Sequence, residues 1–155
     1  MSVLLFSVLS LDGCVSDSSG ETKWGINYHK LGVVSFFENA DCEMSVPLSI
    51  QEIKDSHTSF IIEATDRNID YVVELMKAGV VNEIVLLILP YIAGSGNQLL
   101  GRCRISSYWE LMESLPLESG ILITRYRRMH FDGENAVWYV DKITVTIIYG
   151  TQGIQ

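Results

Sequence analysis

The side chains that most often do chemistry in enzymes are few in this sequence, and their spacing points to neither a metal nor a nucleophile. His29, His57 and His130 have no metal-ligand spacing with one another or with a cysteine. No Ser-His-Asp set and no nucleophile elbow occurs. The three cysteines form no Cys-x-x-Cys pair, and an odd number does not suit a closed disulfide framework. We therefore expect no metal site and free thiols in a reducing cytoplasm.

Two short segments have the composition of an anion contact. Gly94-Ser95-Gly96 follows an apolar run and resembles a phosphate nest of backbone amides, although a plain loop explains it equally well. Arg125-Tyr126-Arg127-Arg128 is the only basic cluster, and on an alternating strand its charges divide between two faces. It is either a solvated strand or an anionic-ligand contact. The net charge of -8 argues against a nucleic-acid surface.

The elements that must position these residues form one domain. The chain has 155 residues, of which 48% are hydrophobic, and it shows no internal repeat or dividing linker. No apolar run is long enough to span a membrane. The first residues are apolar but lack a basic region, so we expect no signal peptide. We therefore treat 1–155 as a single domain.

The apolar pattern predicts a mixed sheet. Ile69, Val72, Val73 and Met76 have helical spacing, which predicts a helix over 66–78 that is capped by Thr65 or Asp66 and closed by Gly79. Ser49 to Glu52 has the spacing of a capping box, which predicts a short helix to Asp55. A strand–helix–strand unit indicates a parallel sheet with helices on either side, whereas the C-terminal third predicts an antiparallel edge with a hairpin turn at Asp132-Gly133. The predicted strands are 3–9, 33–37, 59–62, 84–89, 105–112, 121–131, 136–140 and 143–148.

Three motifs, in order along the chain, resemble the reductase domain of riboflavin biosynthesis. This family has a Ser-Leu-Asp-Gly turn followed by Gly-Glu-Ser-x-Trp, then Val-Glu-Gly-Gly before a helix and Ala-Gly-Leu-Val-Asp-Glu after it, then Ala-Pro-x-x-x-Gly-x-Gly. The matching segments here are Ser10-Leu11-Asp12-Gly13 with Gly20-Glu21-Thr22-Lys23-Trp24, Ile62-Glu63-Ala64-Thr65 with Ala78 to Glu83, and Leu89-Pro90 with Gly94-Ser95-Gly96. The resemblance covers roughly residues 3–128 and implies the α/β, three-layer fold of dihydrofolate reductase, with a mixed, mostly parallel sheet and antiparallel C-terminal strands.

The resemblance also implies an activity, namely the NADPH-dependent reduction of the ribose of a phosphoribosyl-aminopyrimidine. In that family the cofactor lies in a groove at the carboxyl ends of the strands. Asp12 and Glu63 are the acids that the motifs place near this groove, and either serves as proton donor if burial raises its pKa. The implied cofactor contacts are Leu9, Trp24, Ala64, Thr65, Asp66, Arg67, Gly94 and Gly96; the implied substrate contacts are Ser10, Thr22 and Glu63.

The sequence also departs from the family at its phosphate-binding positions. Ala64-Thr65 replaces a pair containing glycine, and a threonine side chain obstructs the close approach of a phosphate to the backbone. Asp66 adds negative charge at the same place. The interval 25–60 is short, and no arginine precedes Arg67, although a sugar phosphate normally requires a bidentate guanidinium. The deaminase signature that is often fused to this reductase is absent.

Three hypotheses follow from these observations. The first is an NADPH-dependent reductase of a small pyrimidine or pterin substrate. The second is a binding or assembly protein that kept the fold and lost the chemistry; its strands in 129–155 would pair with a second copy to form a homodimer. The third is a sensor of a flavin or pterin precursor, which binds its ligand without turnover.

Overall fold

The computed structural model describes residues 3–17, 42–43, 47–104 and 106–129, with only the backbone at 42–43. The predicted strands at 33–37, 136–140 and 143–148, and the turn at Asp132-Gly133, lie outside these residues, as does the Thr22–Trp24 segment. In the described part the strands are β1 (Val3–Leu9), β2 (Cys14–Asp17), β3 (Cys42–Glu43), β4 (Phe60–Glu63), β5 (Val81–Ile88), β6 (Gly96–Gln98), β7 (Tyr108–Pro116) and β8 (Leu122–Met129). The helices are α1 (Ile50–Asp55) and α2 (Ile69–Lys77), and a 3-10 turn spans Leu100–Arg102.

The central sheet of the described residues has six strands in the order β3-β4-β1-β5-β8-β7. The pairs β3/β4, β4/β1 and β1/β5 are parallel, whereas β8 is antiparallel to both β5 and β7. This confirms the predicted mixed sheet with a parallel centre and an antiparallel edge. A second, two-stranded antiparallel sheet joins β2 to β6, and no pattern in the sequence predicts it.

Apolar side chains are buried on both faces of the sheet because successive residues of a strand point to opposite sides. Leu5 of β1, Ile84 and Leu86 of β5 and Val72 and Leu75 of α2 belong to one cluster, in which Ile53 of α1 also lies. We call this side of the sheet the helix face. Leu4, Phe6, Val85 and Leu87 form a second cluster on the opposite side, so β1 and β5 are buried on both sides, as the continuous apolar runs predict.

Both described helices have the predicted type, and their caps explain where they begin and end. Ser49 and Glu52 form the predicted capping box at the start of α1, with both bonds present. Gly79 has the predicted left-handed conformation (φ +71°) after α2. Its N–H bonds Met76 O and the Val80 N–H bonds Leu75 O, which is a Schellman ending.

The start of α2 differs from the prediction. The helix begins at Ile69 rather than Asp66, and Asn68 is its first flanking residue. Neither Thr65 nor Asp66 caps the helix, because residues 66–68 form a turn in which the Asn68 side chain bonds backward, and the first helical bond runs from Val72 N–H to Asn68 O. This local difference decides the geometry of the candidate site.

Of the two C-terminal strands in the described residues, β8 agrees with the strand predicted over 121–131, whereas β7 begins and ends later than the predicted 105–112. β7 runs from Tyr108 to Pro116 and β8 from Leu122 to Met129, and the turn between them is closed by Leu117 N–H to Ile121 O. β7 is the edge strand of the described sheet, and it exposes Leu111, Met112 and Leu115. The strand predicted over 105–112 found the start of β7 but missed its end, because the residues from Glu110 onward are exposed on both sides and leave no buried face to reveal them.

Candidate functional site

The parallel strands bring three of the predicted segments to one edge of the sheet. β4, β1 and β5 are adjacent and parallel, so their carboxyl ends lie together. The turn Ser10–Gly13 follows β1, the turn Ala64–Asn68 follows β4, and the loop from Leu89 to Ser95 follows β5. The order of strands puts the Ser10–Gly13 turn between the other two. The predicted placement of Asp12 and of Glu63–Thr65 at the same edge is therefore confirmed.

The turn after β1 is held by its own serine. The Ser10 Oγ donates to Asp12 Oδ1 (2.5 Å) and accepts from Cys14 N–H (3.0 Å), while Gly13 N–H bonds Ser10 O (3.0 Å). Gly13 has a φ of +80°, which glycine adopts without strain. Ser10 is 1% exposed, and Leu9 is also buried. In this conformation the Ser10 hydroxyl is buried and bonded within the turn, and its role as a substrate contact stays a prediction.

Asp12 joins this turn to the loop after β5. Its Oδ1 accepts from Ala93 N–H and its Oδ2 from Gly94 N–H, both at 3.0 Å. The hydrogen bond from Ser10 and those from the two amides lower the pKa of Asp12 to about 2. The proton-donor role required a raised pKa, so that condition is not met. The ionised Asp12 side chain links the turn after β1 to the loop after β5.

The Gly94–Gly96 segment also bonds the turn after β1 and the strand that follows it. Gly94 N–H is bonded to Asp12, and Gly96 lies opposite Asp17 in the β2–β6 pair. A Cβ on Gly96 would lie 2.0 Å from Ser16 O, so this glycine is required by the close approach of the neighbouring strand. The predicted cofactor role of Gly94 and Gly96 is not supported, because strand pairing and Asp12 account for both residues.

The turn after β4 is closed by Asn68. The Asn68 Oδ1 accepts from Thr65 N–H (2.8 Å) and from Thr65 Oγ1 (3.4 Å), and its Nδ2 donates to Glu63 O (2.7 Å). Ala64 is also committed, since its N–H bonds Phe6 O (2.7 Å) and its carbonyl accepts from the buried Ser7 hydroxyl (3.1 Å). We call these contacts the Asn68 clamp.

The Asn68 clamp decides whether NADPH fits the position that the resemblance gives it. A pyrophosphate at a helix N-terminus is held by free backbone N–H groups. Here the amides of Ala64 and Thr65 already have acceptors within the chain, and Asp66 adds a carboxylate beside them. Arg67 is exposed. In this conformation the amides of Ala64 and Thr65 therefore do not fit the cofactor in the family's manner, and the cofactor contacts expected at Ala64, Thr65, Asp66 and Arg67 stay predictions.

Glu63 keeps the position that the sequence predicted. It ends β4, is half-buried, and lies in register with Phe6, so its side chain is on the face opposite the helices. Its role as substrate contact or acid stays a prediction, as do the roles of Thr22 and Trp24, which lie outside the described residues. Among the residues described, no cluster of three His, Cys, Asp or Glu side chains could hold a metal ion. Cys14 and Cys103 are free and buried.

The basic cluster divides between the two faces as predicted. Arg125 pairs with Glu83 (3.0 Å) and Glu113 (3.3 Å), and Arg127 pairs with Glu110 (3.0 Å). Arg128 points to the helix face and lies over the ring of Trp109, 5.7 Å from its centroid. Two of the three arginines are therefore neutralised by carboxylates of the same hairpin and its neighbour.

A cavity of about 580 Å³ lies on the helix face, away from the carboxyl edge of the parallel strands. No residue of the predicted site lines it. In the sequence, only the aromatic residues at alternate positions of the C-terminal hairpin point to this cavity. Such alternation does not distinguish a cavity from a packed core. Its described walls are Met76, Ile84, Leu86, Leu100, Cys103, Ser106, Ser107, Tyr108, Trp109 and Tyr126.

Comparison with solved structures shows that the chain has the dihydrofolate-reductase-like fold. A protein from Shewanella sp. PV-4 described as a riboflavin biosynthesis protein aligns over 84% of this chain and 100% of its own length, with 18% identity and a TM-score of 0.58. A pyrimidine reductase-like protein from Corynebacterium diphtheriae aligns over 84% and 92%, with 9% identity and a TM-score of 0.61. Dihydrofolate reductase from Enterococcus faecalis, complexed with NADP(H), aligns over 82% and 96%, with 12% identity and a TM-score of 0.54.

These likenesses establish the fold, and they agree with the resemblance seen in the motifs. No protein-family profile and no curated protein sequence matches the chain. None of the helices in the described part of the chain is long and apolar enough to cross a membrane.

Proposed function

We propose that this chain is a reductase-fold binding or assembly domain that has lost the dinucleotide site of the enzymes it resembles. The observation that carries the proposal is the Asn68 clamp. Thr65 N–H, one of the amides at the turn where the resemblance places the pyrophosphate, already bonds the carboxamide of Asn68 at 2.8 Å. A phosphate must break this bond and displace the Asn68 side chain before it reaches the turn.

The ionised Asp12 supports the same proposal at the second candidate turn. It takes the N–H groups of Ala93 and Gly94, which are the donors that a phosphate nest would offer. A negative charge fixed at this point also repels a phosphate. Two independent turns at the edge are thus satisfied by side chains of the chain itself.

Titration with NADPH tests the proposal directly. We expect no saturable change in tryptophan fluorescence and no calorimetric binding up to millimolar NADPH, with a dihydrofolate reductase as positive control. The double variant Thr65→Gly, Asn68→Gly removes both the obstructing side chain and the clamp, so it should bind NADPH more tightly than the native chain. Saturable micromolar binding by the native chain would overturn the proposal.

The alternative is an NADPH-dependent reductase of a small pyrimidine or pterin substrate. It is favoured by the position of the Ser10–Gly13 and Glu63–Thr65 segments, which meet at the carboxyl edge of adjacent parallel strands. This alternative expects saturable quenching by NADPH that weakens in Trp24→Ala, together with consumption of NADPH when a pyrimidine or pterin is added. A chain that binds NADPH without consuming it would fit neither proposal and would point to sensing.

A further inference from the structure

The cavity on the helix face has the size and the lining of a small-molecule site. Its volume of about 580 Å³ lies within the range of roughly 300–1,000 Å³ that is typical of ligand pockets. Apolar side chains from α2, β5 and the segment after β6 form most of its wall, among them Met76, Ile84 and Leu100. Cys103 is buried in the wall, and burial raises the pKa of its thiol, so the thiol stays protonated and adds an uncharged surface.

One side of the cavity is aromatic. Trp109 of β7 and Tyr126 of β8 line it, and both point to the helix face according to the register of the hairpin. The Trp109 Nε1 already donates to Ser107 Oγ at 2.8 Å, so the indole offers its ring face rather than a hydrogen bond. Two half-buried aromatic side chains on adjacent strands favour a planar aromatic guest.

Two buried polar atoms beside this wall lack a partner. Arg128 shares the face of Trp109 and Tyr126, and its Nη1 is buried without an acceptor. Thr124 is 4% exposed, lies opposite the wall residue Leu86, and has an unsatisfied Oγ1. A buried donor without an acceptor destabilises a protein, and a charged donor does so most strongly. We therefore expect both atoms to have an acceptor that is not among the described residues.

We propose that this cavity binds a planar aromatic molecule that carries a carboxylate or carbonyl group, with the rings against Trp109 and Tyr126 and the oxygen turned toward Arg128 and Thr124. Arg128 suits this role because no carboxylate of the described residues pairs with it, unlike Arg125 and Arg127. The inference deepens the proposed function, since it supplies the ligand of a domain that has lost the dinucleotide site.

The test uses 2-naphthoate as the probe, with 2-naphthylmethanol as its uncharged counterpart. Both are titrated into isotopically labelled full-length chain and followed by amide chemical shifts. We expect saturable 2-naphthoate shifts centred on cavity residues. Arg128→Met should weaken 2-naphthoate about tenfold because it removes a charge-assisted hydrogen bond, while 2-naphthylmethanol changes by no more than about twofold.

A second variant tests the location independently of Arg128. Ser106 is an exposed residue of the cavity wall, so Ser106→Trp fills the cavity without disturbing the core and should weaken 2-naphthoate about tenfold or more. Ser95→Trp places the same side chain at the carboxyl edge and should leave affinity unchanged. Absence of saturable shifts at millimolar 2-naphthoate, or equal effects of both tryptophan variants, would overturn the inference.

An NADPH titration of the same labelled protein separates this inference from the proposed function. NADPH shifts at residues 63–68 would contradict the lost dinucleotide site and leave the cavity result standing. Failure of 2-naphthoate with no NADPH binding would remove the cavity ligand and leave the lost dinucleotide site standing.

Discussion

Replacing Asn68 with alanine isolates the clamp from the rest of the fold. The substitution removes two short hydrogen bonds, one that Asn68 Oδ1 accepts from Thr65 N–H (2.8 Å) and one that Asn68 Nδ2 donates to Glu63 O (2.7 Å). It also removes the longer contact with the Thr65 hydroxyl. Asn68 has φ -117° and ψ 12° and makes no side-chain cap bond to α2, so alanine loses no helix cap. The loss of stability should therefore report the clamp alone.

The magnitude follows from the number and quality of the bonds. A hydrogen bond inside a protein contributes about 1 kcal/mol net, so two short bonds contribute about 2 kcal/mol to the free energy of unfolding. For a chain of this length, that loss lowers Tm by about 4–8 °C. The groups left behind are partly buried, so water satisfies them only in part and the loss should not fall far below this value.

Asn82→Ala is the matched control. Asn82 is also a half-buried asparagine, but it makes one hydrogen bond, from Val3 N–H to its Oδ1 at 3.2 Å. We expect a loss of about 1 kcal/mol or less for this variant. Urea unfolding of both variants and the native chain, followed by tryptophan fluorescence and circular dichroism, measures the difference. If Asn68→Ala is no less stable than Asn82→Ala, the clamp does not hold the turn, and the argument against a phosphate there fails.

Three further predictions concern the same edge and the assembly. The lowered pKa of Asp12 contributes stability that is fully present above its unfolded value of 3.8 and is lost as the pH falls toward about 2. Asp12→Asn should therefore make the urea midpoint of unfolding less dependent on pH over this range. An acid dependence like that of the native chain would contradict the role of the carboxylate. Gly96→Ala should destabilise the chain more than Gly94→Ala in thermal unfolding, because both have positive φ but only at Gly96 would the added Cβ meet a backbone oxygen, lying 2.0 Å from Ser16 O; equal losses would show that β2 and β6 are not paired in this way. Light scattering should find a homodimer, because β7 leaves an apolar edge unpaired in the described sheet; truncation after Arg128 should disturb it if the strands predicted in 129–155 pair with a second copy, and a monomer at high concentration would remove this prediction.

Local chemistry made much of the fold predictable from the sequence. The capping box at Ser49, the left-handed Gly79 and the helical spacing of Ile69, Val72 and Met76 each depend on neighbours within a few residues, and each is confirmed. The central strands were found because burial on both faces leaves an unbroken apolar run. Their common edge followed from parallel pairing.

The candidate site was less predictable because its hydrogen bonds join residues that are remote in sequence or that point in unexpected directions. Asp12 bonds Ala93 and Gly94, about eighty positions away in the sequence, and no local sequence pattern predicts such a contact. The role of Asn68 is not predictable from its type, because an asparagine near a helix start usually caps the helix that follows it. Here its side chain instead bonds the turn that precedes it. The motifs therefore located the edge, whereas the bonds that its donors make within the chain could not be predicted from them.

The two regions of this protein differ in how their polar groups are satisfied, and this difference is the physical reason for assigning binding to the cavity. Backbone donors at the end of a strand must find an acceptor in the chain, in water or in a ligand. At the carboxyl edge, Ser10, Asp12 and Asn68 supply acceptors to the N–H groups of Cys14, Ala93 and Thr65, so these donors are satisfied without a cofactor. Beside the cavity, none of the described residues supplies an acceptor to Arg128 Nη1 or Thr124 Oγ1, which is why we propose that a ligand supplies it.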